Sequence, residues 1–162
     1  MSQVKWRTYS PLNKSFRISL PKDSEIANLP HHPGEESIGL FNDHKLSEVY
    51  SLQLKGDSSA KSLGVVEFFP KKPYVSNDFD KLVNSYMLFL FGDDKTFTRE
   101  SDVIVNGYHG REFIFKKGSG SGRAVFLNTG MRIYFLQYYK EMDAQPNSDL
   151  INRIFSSFEP KP

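Results

Sequence analysis

Cysteine is absent from the sequence, which excludes disulfide staples, thiolate nucleophiles and zinc sites of the cysteine type. Charge of neither sign is in excess. The 21 basic and 19 acidic residues leave a formal net charge of +2, far from the basic surplus that marks a dedicated nucleic-acid binder. Nucleic acid is therefore not an expected partner. Long apolar runs are also missing. The longest, Tyr86-Met87-Leu88-Phe89-Leu90-Phe91, falls well short of the roughly 18 apolar residues a membrane-spanning helix needs. The opening residues, Met1 to Trp6, hold no apolar segment followed by a small-residue cleavage site. The expectation is a cytoplasmic chain, or an exported one whose signal has been removed.

What is present suits one α+β domain. A chain of 162 residues lies within the usual size of a single domain and can bury a core without staples. Residues 1–15 read as an extended lead-in, with turns at Ser10-Pro11 and Asn13-Lys14. Residues 16–20 alternate apolar and polar and stop at Pro21, the pattern of a strand. Residues 22–43, rich in proline, glycine and acidic residues, read as a loop. Further strands are expected at 47–55 and 63–69.

Asn77 or Asp78 then caps a helix over 79–91. Its stripe of Phe79, Leu82, Val83, Tyr86, Met87 and Leu90 follows helical spacing, and Gly92 stops it. Leu88, Phe89 and Phe91 lie off that stripe, so the second half of the helix is apolar nearly all round. It is either covered twice or presents a patch.

A four-strand meander follows, at about 96–105, 108–117, 123–128 and 131–140. Asn106-Gly107 signals a two-residue hairpin, Thr129-Gly130 a second tight turn, and Gly118-Ser-Gly-Ser-Gly122 a looser loop. Asp143 to Pro146 opens a last helix that turns Leu150, Ile151, Ile154, Phe155 and Phe158 inward. Both meander faces are apolar. One carries Phe113, Phe115, Val125, Leu127, Tyr134, Leu136 and Tyr138; the other carries Ile114, Phe126, Met131, Ile133, Phe135 and Tyr139. A sheet apolar on both sides must be covered on both. The expected architecture is a central antiparallel sheet with a helix on each face, a three-layer α/β/α sandwich.

No catalytic apparatus is recognisable. The glycine-rich loop, flanked by Lys116, Lys117 and Arg123, lacks the Gly-Lys-Ser/Thr ending of a phosphate loop and is followed by a strand, so it reads as a hairpin loop. His31-His32 beside Glu35-Glu36 offers competent metal ligands, but adjacent imidazoles do not readily converge on one ion. The segment reads as a solvated loop, and neither metal nor cofactor is expected. His109, just past the Asn106-Gly107 turn, has no inferable orienting partner. The hairpin register places Asp102 opposite Arg111 and Arg99 diagonal to Glu112, so Arg111 reads as a register-fixing pair. With Arg123 and Arg132 it also forms a candidate anion site. The 23 aromatics read as core rather than as base-stacking platforms. The candidate binding residues are thus Phe89, Phe91, His109, Arg111, Arg123 and Arg132.

Several segments resemble the PsbP-like superfamily, which includes the extrinsic oxygen-evolving subunit of photosystem II and a nuclear-import factor that binds the GTPase Ran. They are Tyr9-Ser-Pro11 leading into Phe16-Arg-Ile-Ser-Leu-Pro21, the hairpin Val105-Asn-Gly-Tyr-His-Gly-Arg-Glu-Phe113, the strand Arg132-Ile-Tyr-Phe-Leu136, and Ile154-Phe-Ser-Ser-Phe158. The resemblance spans about residues 9–158. It implies a helix-flanked antiparallel sheet and a non-enzymatic binding or assembly role, with another protein as partner. It transfers no metal or partner-binding residue. Two other readings stand beside it. One is a small-molecule binder or hydrolase with His109, Arg111 and Arg132 in a pocket between sheet and helix. The other is self-association through the 79–91 patch.

Overall fold

A computed structural model of the chain describes residues 5–29, 44–54, 61–70, 76–91, 97–141 and 148–161. Within these stretches the side chains of 27–29, 44–49, 52–54, 61–62, 69–70, 76–78, 89–91, 97–98, 117 and 141 are not described.

The strand patterns pair into two antiparallel sheets. The larger is built from β3 (Glu25–Leu29), β4 (His44–Leu54), β5 (Lys61–Pro70), β6 (Phe97–Val105), β7 (Tyr108–Lys117), β8 (Gly120–Asn128) and β9 (Ile133–Glu141), in the spatial order β3-β4-β5-β9-β8-β7-β6. The smaller joins β1 (Trp6–Tyr9), β2 (Phe16–Pro21) and β10 (Glu159–Pro160), with β2 central. The helices are α1 (Ser76–Phe91) and α2 (Asp149–Ser156). β6 to β9 form the consecutive meander expected from the turn residues. Asn106 and Gly107 both take positive φ, 49° and 87°, as a two-residue hairpin of this kind demands.

The alternation along β5, β8 and β9 divides the core in two. Leu63, Val65, Val125, Leu127, Tyr134, Leu136 and Tyr138 share one buried cluster with Phe16, Ile18 and Leu20 of β2 and Ile151, Ile154 and Phe155 of α2. Val66, Phe68, Ala124, Phe126, Ile133 and Phe135 share the other with Leu82, Val83 and Met87 of α1. The cluster that holds α2 also holds β2 of the small sheet, where the sequence suggested a helix alone.

The expected face assignment fails in β7. Phe113 and Phe115 lie in the α1 cluster, not with Val125 and Leu127. Ile114 pairs with Arg123, on the opposite face from Phe126. The cause is register. The glycine-rich loop is a tight turn in which Lys117 faces Gly120, whereas a looser loop was assumed, and a one-residue change of register turns every side chain over. Met131, expected in the core, is 68% exposed. It sits in a four-residue turn closed by the Thr129 N–H donating to the Arg132 carbonyl at 3.0 Å.

Other boundaries shift as well. Residues 6–9 of the lead-in are β1, paired with β2, and β3 lies inside the expected 22–43 loop. α1 starts at Ser76, so Asn77 and Asp78 lie within its first turn rather than ahead of it. α2 starts at Asp149, not near Asp143. Its cap is Ser148, whose Oγ accepts from the Ile151 N–H at 3.4 Å; residues 142–147 lie outside the described residues.

Two tyrosines register this burial. Tyr86 packs edge-on against Phe135 at 4.7 Å and Phe68 at 5.6 Å, and burial pushes its phenol up to about 12. Burial does the same for Tyr134, also to about 12, although the Arg132 guanidinium opposes the shift. In an unfolded chain a tyrosine ionises near 10. Between pH 10 and 12 the unfolded state therefore releases protons that the fold retains, and stability held below pH 10 is lost as pH rises. The expected loss is about 1.4 kcal/mol per pH unit for each group. Urea unfolding across this interval checks it, and Tyr134→Phe should flatten the slope; an unchanged slope in that variant contradicts the assignment.

Candidate functional site

α1 lays Asp80 and Asn84 over the β6–β7 hairpin, whose register puts Asp102 opposite Arg111 as the sequence suggested. Together with Glu100 and Ser101 they line an open groove of about 570 Å³ between helix and sheet edge. Arg111 pairs with Glu100, stands 3.8 Å from Asp80, and lies 5.3 Å from the centre of the Phe113 ring. Three carboxylates surround one guanidinium, so the local charge is negative. This groove disfavours anions, and its Glu100 and Asp80 carboxylates are about half exposed or more, which keeps each pair weak.

The other two candidate arginines do not join it. Arg123 faces the α2 side of the sheet, where Nε and Nη2 hold Oε2 of the buried Glu112 at 2.8 and 2.7 Å. Its Nη1 donates to Asn152 Oδ1 of α2 at 2.7 Å, and its plane covers the Phe155 ring at 4.6 Å. Arg99 lies diagonal to the same carboxylate at 3.9 Å, as expected. Arg132, in the β8–β9 turn, reaches Glu67 Oε1 at 3.0 Å. The structure therefore places the three arginines at three separate stations, each answered by a carboxylate. Glu67 and Glu112 were missing from the sequence reading as core charges. Glu67 had a signal, a single carboxylate inside Val65-Val66-Glu67-Phe68-Phe69, since a buried charge must be paired.

The glycine-rich segment proves to be a packing device. Gly118, at φ 60°, makes the turn. A β-carbon at Gly122 would run into the Tyr138 carbonyl and the Phe115 ring. His109 is exposed, opposite Ile104 on the edge hairpin. Phe89 and Phe91 lie in the last turn of α1, but their side chains are outside the described residues; Leu88 beside them is 46% exposed. His31, His32, Glu35 and Glu36 also lie outside the described residues. Among the described residues no group of three or more histidine, aspartate or glutamate side chains could hold a metal ion, and no helix is long and apolar enough to cross a membrane.

No protein-family model matches the chain, and no curated protein does. Solved structures do. The chain is similar to the solution structure of cyanobacterial PsbP (CyanoP) from Synechocystis sp. PCC 6803, with a TM-score of 0.65 and 8% identity over 99% of this chain and 95% of that one. It is also similar to a crystal structure from Bacteroides thetaiotaomicron VPI-5482, with a TM-score of 0.56 and 8% identity over 96% of this chain and 48% of that one. The fold is PsbP-like, as the sequence resemblance implied.

Two stability measurements test these assignments. Arg123→Ala, which leaves the buried Glu112 with the longer 3.9 Å contact to the exposed Arg99, is expected to cost about 3 kcal/mol, whereas Arg111→Ala should cost about 1 kcal/mol or less. Equal losses in urea unfolding would contradict the difference in burial. Gly122→Ala should cost about 1–3 kcal/mol through overpacking; a neutral result would restore the segment as a free loop.

Proposed function

We propose that the chain is a non-catalytic interaction or assembly module whose partner is another protein. The observation that carries this reading is the end-to-end likeness of fold to cyanobacterial PsbP, taken with the binding and assembly roles that the sequence resemblance implies. In this reading the large sheet is the middle of three layers. Its two faces are used up by the α1 cluster and by the cluster of α2 and the small sheet, which leaves outer helix surfaces and the sheet rim for recognition. The surface we assign is the C-terminal half of α1. Leu88 is exposed there, and Phe89 and Phe91 extend the apolar sequence. A contiguous apolar surface there, as the sequence suggests, would mark a protein contact and would be open equally to a second copy of the chain.

A second reading, a small-molecule binder or hydrolase, has the 570 Å³ groove at Arg111 in its favour. A ligand screen that raises the melting temperature, and loses the effect in Arg111→Ala, would support it.

The α1 surface is tested with Leu88→Glu and the pair Phe89→Ala/Phe91→Ala. Partner capture from extract of the native source should be lost in both, with melting temperature and circular dichroism unchanged. Undiminished capture would overturn the assignment, and light scattering at two concentrations separates a foreign partner from self-association.

A further inference from the structure

The turn between β1 and β2 and the strand β10 enclose an open cleft of about 530 Å³ at the end of the small sheet. Its floor and walls are apolar and held firmly. Phe16, Pro11 and Pro160 are buried. The Ser15 carbonyl between the two walls accepts from the Tyr134 hydroxyl at 2.7 Å and from the Lys161 N–H at 2.8 Å. Leu12 projects from the lip into solvent, 104% exposed.

The rim is cationic. Arg17 is neutralised by Glu159 at 2.6 Å, but Lys14 and Lys161, both exposed, line the cleft and meet no carboxylate among the described residues. Lys14 also occupies the left-handed region, at φ 55°. Glycine is at ease there and other residues are strained.

We propose that this cleft is a binding site for a small amphipathic carboxylate, its acyl body against Pro11, Leu12, Phe16 and Pro160 and its anionic head between Lys14 and Lys161. The volume falls within the range of small-ligand sites. An extended peptide is the poorer occupant, because β10 is two residues long and Pro160 has no N–H to offer a further strand. The site lies on the small sheet and is independent of the α1 surface.

Octanoate is the probe, with octan-1-ol as neutral control, followed through backbone amide shifts. Octanoate should shift the amides of Leu12, Lys14, Arg17 and Lys161 saturably, and octan-1-ol should bind at least about threefold more weakly. Lys14→Gly should raise the melting temperature by relieving the backbone and yet weaken octanoate binding. Lys14→Arg should retain binding, and Lys161→Gln, which leaves the turn untouched, should weaken it. The proposal is overturned if octanol binds as well as octanoate, if Lys161→Gln has no effect, or if only acidic peptides or anionic phospholipid vesicles shift these amides. Leu88→Glu should leave octanoate binding unchanged, so failure of the α1 reading and failure of this one are told apart.

Discussion

The constraint on which the rest depends is that β5, β8 and β9 are buried on both faces. Leu63 and Val65 alternate with Val66 and Phe68, and Val125 and Leu127 with Ala124 and Phe126. Tyr134, Leu136 and Tyr138 alternate in the same way with Ile133 and Phe135. Strands of this kind have no face to spare for water, so each must find a cover. α1 supplies one. α2 supplies the other only with the help of β2, whose Phe16, Ile18 and Leu20 complete the cluster. The small sheet is therefore a structural part of the core and not an ornament on it.

Charges follow from the same burial. Glu67 and Glu112 sit on strands whose neighbours are apolar, 0% and 4% exposed, and an isolated carboxylate there would be prohibitive. Arg132 and Arg123 supply the countercharges. Arg123 does more, since its guanidinium also bonds Asn152 and covers Phe155, tying α2 to the sheet by polar and apolar contact together. Guanidiniums committed in this way explain why three arginines that looked in the sequence like a shared anion receptor stand apart in space.

The fold was legible where turn chemistry and periodicity agree. Asn106-Gly107 set the β6–β7 register correctly, down to Asp102 opposite Arg111, and the amphipathic stripe found α1. Legibility failed where one residue decides a register. Gly120 and Gly122 read as loop because glycine is what loops use, yet they are strand positions crowded by Tyr139 and by Tyr138 with Phe115. That misreading moved Phe113 and Phe115 to the wrong face. The short strands β1, β3 and β10 escaped notice because four, five and two residues carry little periodic signal without their partners. Of the candidate site, the arginines were found and so was Asp102 within the hairpin, but not the partners Asp80, Glu67 and Asn152, which reach them from distant parts of the chain.

The order in which the pieces are made adds a further consequence. Synthesis runs from the amino end, so the meander is complete at residue 141 while Ile151, Ile154, Phe155 and Phe158, which close one flank of it, are still to be translated. A chain that pairs its strands before these residues arrive leaves Leu127, Tyr134, Leu136 and Tyr138 without part of their cover. Such an intermediate is the kind of species that ribosome-associated chaperones capture and that aggregates when they are scarce.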